Sequence, residues 1–142
     1  MIKVRLVLFF AFGALASCTN GVSLQSIDYS GLLSDGNSKV WLIDQEVSNG
    51  VNVTESLIYS KRIIIFHNDG TVNIIPMSEI GKLNPVRGHY HMRSDEKNLT
   101  IDLPKDRWLL KARYITEDSL YLEATPESDI ATDIKIIPFP KL

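Results

Sequence analysis

From Ser38 onward, apolar residues recur at every second position in short runs, and each run stops at residues that favour turns. Leu99-Thr100-Ile101-Asp102-Leu103 is the clearest case, with its apolar members on one face and its polar members on the other. No segment after residue 34 carries a helical period. Ile63-Ile64-Ile65-Phe66 is apolar on both faces and runs into Asn68-Asp69-Gly70, where glycine supplies the positive φ of a tight hairpin turn. This pattern predicts strands over 39–47, 58–67, 71–76, 87–93, 99–103, 107–116, 119–124 and 132–139. The fold class expected is all-β: an antiparallel up-and-down meander of about eight strands. Closing it into a barrel removes exposed edges. A two-sheet β-sandwich is the alternative.

The alternation also assigns faces. Trp41, Ile43 and Val47 share one side of the first strand. Trp108, Leu110, Ala112 and Tyr114 share one side of another, with Leu109, Lys111, Arg113 and Ile115 opposite. Residues 51–57 are weakly patterned and read as a loop. Ile27 to Leu33 reads as one helical turn whose Ile27, Leu32 and Leu33 cap one end of the core. The second apolar face of the Ile63 run needs a cover, for which the segment around Leu32 is expected; exposed instead, Ile63 and Ile65 would form the apolar patch that a docking module needs. Ser34-Asp35-Gly36-Asn37 is turn chemistry and lacks the alternating acids of a calcium loop.

Ahead of the strands lies a different kind of sequence. Lys3 and Arg5 precede an apolar or small run, Leu6 to Ala16, that is too short to span a bilayer but suits a secretory signal. The run ends at Leu15-Ala16-Ser17-Cys18, which holds the only cysteine. This resembles the bacterial lipoprotein signal, which implies cleavage before Cys18 and lipidation of that residue. Two or more acyl chains, at about 0.8 kcal/mol per buried CH₂, anchor a protein stably. The organisation expected is a signal peptide over 1–17, a tether and short plug over 18–37, and a barrel over 38–142. Thr19 to Ser26 is small and polar, as a flexible linker is.

Composition narrows the function classes. With the lone thiol lipidated, no disulfide forms, and the fold rests on its core alone. Losing Lys3 and Arg5 from 15 basic residues leaves 13 against 17 acidic, a mature charge of −4. No basic stripe is present, which argues against nucleic acid as a partner. No hydrolase elbow, P-loop, dinucleotide fingerprint or paired-cysteine motif occurs, so neither catalysis nor a cofactor is expected.

Leu33, Ser38-Lys39-Val40-Trp41 and Phe66-His67-Asn68-Asp69-Gly70-Thr71 together resemble the lipocalin-like lipoproteins of Bacteroidota. That family shows a Ser-Lys-x-Trp first strand followed by an aromatic-x-x-Asp-Gly-Thr hairpin. The resemblance implies a lipocalin-like barrel anchored to the outer membrane. The absence of an acidic run after Cys18 implies that it faces the periplasm. Secreted lipocalins carry glycine where this chain has Lys39, and their disulfide is missing here. A roomy cavity therefore does not follow, since eight strands can be filled by their own side chains.

Two constellations are candidate sites. His89 and His91 lie on one face of a strand and would need a third ligand, such as His67, to hold zinc or copper. The plainer reading is a solvated face. Trp41, Phe66, Trp108 and Tyr114 would either line an apolar pocket or simply form the core. The function expected is a non-catalytic, lipid-anchored binding module for a small apolar ligand or a protein. The alternative is an accessory lipoprotein subunit of a secretion or motility apparatus.

Overall fold

The computed structural model describes residues 27–53, 61–82 and 84–140. The signal peptide, Cys18, the tether up to Ser26 and the first residues of the strand expected from Ile58 lie outside them.

The chain forms a closed antiparallel barrel of eight strands, with one further short strand at its rim. After helix α1 (Tyr29–Ser34) come β1 (Ser38–Ser48), β2 (Val51–Asn52), β3 (Arg62–His67) and β4 (Thr71–Pro76). Then follow β5 (Val86–Arg93), β6 (Asn98–Asp102), β7 (Arg107–Ile115), β8 (Leu120–Ala124) and β9 (Asp133–Pro138). From β3 to β9 each strand pairs with the next. The barrel closes where β1 lies between β3 and β9, Leu42 facing Ile63 on one side and Ile137 on the other. The extra strand, β2, falls in the stretch expected to be a loop. It adds two residue pairs to the end of β1.

The β3–β4 hairpin turns at Gly70, whose φ is +83°. Asp69 fixes the turn by accepting from both the backbone N–H and the hydroxyl of Thr71. These two bonds hold the Asp69 carboxyl below its usual range.

Helix α1 is a single turn and a half. Asp28 caps it by accepting from the Ser30 N–H, and Asp35 ends it in the left-handed region, its N–H bonded to the Gly31 carbonyl. The helix closes one end of the barrel. Leu33 is fully buried in the core, worth about 1.5–3 kcal/mol. Its carbonyl accepts from the Trp41 indole N–H at 2.9 Å. Tyr29 is tied to the β5–β6 turn through Ser94 Oγ. Two expectations for this segment need correction. Ile27 is 65% exposed and caps nothing. The helix also plugs the barrel end, where Leu33 joins the interior cluster, while the outward faces of Ile63 and Ile65 lie on the wall.

Two bulges correct the face assignments. In β1 the register shifts between Ile43 and Gln45, so Glu46 comes opposite Ile134 and turns inward while Val47 turns out. In β7 the register shifts between Ala112 and Tyr114, so Tyr114 comes opposite outward Tyr121 and Ile115 opposite inward Leu120. A bulge adds one residue to one strand and inverts the phase beyond it, which simple alternation does not foresee.

Candidate functional site

The lumen is occupied by one contiguous cluster of buried side chains contributed by α1 and all eight barrel strands. Trp41 and Phe66 are fully buried within it, and Trp108 nearly so. Phe66 meets Tyr90 edge to face, centroids 4.8 Å apart, and the Tyr90 hydroxyl donates to the His67 carbonyl. Three of the four aromatic pocket candidates thus share the interior. Tyr114 does not: the β7 bulge leaves it 74% exposed on the outer wall.

The two ends of the lumen are built differently. At the helix-plugged end, the Lys39 ammonium lies 4.3 Å from the Trp41 ring centroid. Lys39 therefore makes a cation–π contact over the core tryptophan. At the other end, Glu46 is buried and bound to Arg62 at 2.6 Å, and the Arg62 guanidinium lies over the Trp108 ring at 5.4 Å. Glu46 was not foreseen as an interior residue. Nothing in the sequence marks it, because it faces the lumen only through the β1 bulge, and its partner Arg62 comes from the neighbouring strand β3.

The histidines lie on the outside. His89 stands between Thr71 of β4 and Asp102 of β6, and His91 lies opposite Thr100. His67 is on the far side of β4, about 10 Å away at two interstrand spacings. Its ring nitrogens face Ser38 Oγ at 2.6 Å and the Asn73 amide at 2.9 Å. The fold therefore does not bring the three imidazoles together. Among the described residues, no group of three or more His, Cys, Asp or Glu is placed to hold a metal ion.

The outer wall divides into two halves. Across β9, β1, β3 and β4, Ile137, Leu42, Ile63 and Ile75 form one cross-strand row, and Val40 lies opposite Ile65. Leu42 and Ile63 point away from the lumen yet are only 8% and 6% exposed. Across β5 to β8 the outward residues are mostly polar, and three ion pairs run among them and the β5–β6 turn. Arg107 holds Asp102 at 2.9 Å, Arg93 holds Glu96 at 2.6 Å, and Arg113 binds Glu123. The last pair keeps the Glu123 carboxyl below its ordinary range and raises Arg113. Beside it, burial and the Asp133 carboxylate push the Tyr121 phenol up.

No family model matches the chain, and no curated protein matches it either. No helix among the described residues is long and apolar enough to cross a membrane.

Proposed function

We propose that the chain is a lipid-anchored, periplasm-facing interaction module of the outer membrane that binds a protein through the outside of its barrel and performs no chemistry. The observation that carries this is the occupied lumen. Trp41, Phe66 and Trp108 lie in one packed cluster, where a small-ligand carrier would need room. Of the two ligand classes expected from the sequence, this favours a protein over a small apolar molecule. The anchor and the bacterial envelope rest on Leu15-Ala16-Ser17-Cys18 and on the resemblance to lipocalin-like lipoproteins.

The polarity of the barrel favours a second, more specific reading as an accessory subunit of an envelope machine. The chain arrives from the tether at the helix-plugged end. The exposed side chains of Met77, Ile80 and Val86 cluster at the opposite end, around the β4–β5 connection. A subunit held to the membrane at one end and presenting apolar residues at the other suits a docking role; the wall at Ile63 and Ile65, where such a patch was expected, counts against it, since Ile63 is only 6% exposed and Ile65 half-buried.

Palmitate labelling tests the anchor. The wild-type chain is expected to take up radiolabelled palmitate and partition into detergent, and Cys18→Ser is expected to do neither. Equal labelling of both would end the lipoprotein reading.

A further inference from the structure

Arg62, Arg93, Arg107 and Arg113 are each held by a carboxylate. Among the described residues, Arg87 is the one arginine with no ion pair. It lies in a cleft that the strand geometry opens on purpose-built terms.

Strands β5 and β6 pair from Arg93↔Asn98 up to His89↔Asp102, where β6 ends. Strand β5 continues to Val86, paired on its other side with β4. The Tyr90 N–H donates to the Gly70 carbonyl, so even-numbered residues of β5 direct their backbone groups to β4 and odd-numbered ones to β6. The backbone N–H and C=O of Arg87 therefore face the side that β6 has left. The residue that continues the register opposite Arg87 is Pro104, which has no N–H to give. The end of β6 lies very close against β5 here. A Cβ on Gly88 would collide with the Asp102 carbonyl oxygen and approach Leu103 Cδ2 to 2.9 Å.

Two grooves of about 560 and 460 Å³ flank this edge, one beside the outward residues of β4 and β5 and one toward the β6–β7 turn, and they share Arg87, Leu103 and Pro104. Leu103, Pro104 and Gly88 give an apolar floor. Arg87 and Lys105 give cationic walls, with the exposed His89 ring beside them, and neither cation is engaged in an ion pair among the described residues. Of the two carboxylates in the lining, Asp102 is already paired with Arg107, which leaves Asp106 against Arg87 and Lys105.

We infer that this cleft binds an extended peptide in which carboxylates alternate with apolar side chains. Arg87 takes a carboxylate through its guanidinium fork, the chemistry that an unpaired arginine over an apolar floor suits best. The free backbone groups of Arg87 add one β-bridge to the incoming chain, a contact that a fatty acid could not make. The assignment rests on the exterior-binding reading above and names the site and partner class for it.

The test is fluorescence polarisation of the full chain, in detergent, with a labelled peptide of alternating Leu and Asp. Saturable binding is expected, weakening with salt as a charge-assisted site should. Arg87→Gln is expected to lose at least tenfold in affinity and Arg87→Lys to recover only part of it, while Lys111→Gln, elsewhere on the same half, stays within twofold. Circular dichroism checks that each variant folds. Equal binding of a Leu–Lys peptide, no saturable binding, or full competition by dodecanoate would each overturn the assignment. Those results would leave exterior binding standing, whereas uptake of an apolar probe into the lumen would remove that reading and not this site.

Discussion

The two halves of the outer wall solve one problem in opposite ways. Every barrel strand must put half of its side chains outside. Strands β5 to β8 do so with charges that pair across strands, as Asp102 does with Arg107 and Glu123 with Arg113. Strands β9, β1, β3 and β4 do so around a row of isoleucine, leucine and valine, with Lys135 and Asp44 paired at 3.8 Å beside it, and bury Leu42 and Ile63 nearly as deeply as the lumen. An outward position is thus not the same as a solvated one. The apolar half behaves as a second layer of core, while the charged half meets solvent and, on the reading we propose, carries recognition.

If that contrast holds, substitutions should rank by half and by depth. The largest effect belongs to the close approach of β5 and β6 at Gly88, on the charged half. Gly88→Val forces a side chain into the Asp102 carbonyl and should destabilise by about 3 kcal/mol or more in urea unfolding. A neutral result would mean that the approach is not as close as described. On the apolar half, Ile63→Ala should cost about 2–4 kcal/mol, as a lumen residue would. A loss under about 0.5 kcal/mol, the ordinary surface value, would erase the distinction between the halves. Arg107→Gln removes an exposed pair and should cost about 0.5 kcal/mol or less.

The smallest effect is in pH dependence. The Glu123 carboxyl is held down by Arg113, so its folded value lies below the unfolded one. Its contribution is then present at neutral pH and lost as pH falls from 4.5 through the folded value. Glu123→Gln should flatten the acid limb of the melting profile there. Unchanged pH dependence would mean that the pair does not persist in solution.

Period-two alternation carried the fold class a long way. The eight strands expected match β1 and β3 to β9 to within a few residues, because each was bounded by turn residues such as Asn68-Asp69-Gly70. What alternation cannot register is a change of phase. Val47 and Tyr114 were assigned to the core because nothing in Leu42-Ile43-Asp44-Gln45 or Ala112-Arg113-Tyr114 marks an extra residue, and each bulge inverted the strand beyond it. The doubly apolar run at Ile63 announced the second layer, though α1 plugs the barrel end instead of lying over that wall. The cleft was hidden for another reason. Arg87 looks like any outward strand residue until the ladder shows β6 stopping short and every other described arginine paired.

Binding of the neutral dye N-phenyl-1-naphthylamine, read by energy transfer from tryptophan, probes the lumen directly, since Trp41 and Trp108 sit at its two ends. With the interior filled by its own side chains, no saturable transfer is expected at any dye concentration below micelle formation. Saturable one-to-one transfer that disappears in Trp108→Phe would reveal an apolar site inside the barrel and contradict the account.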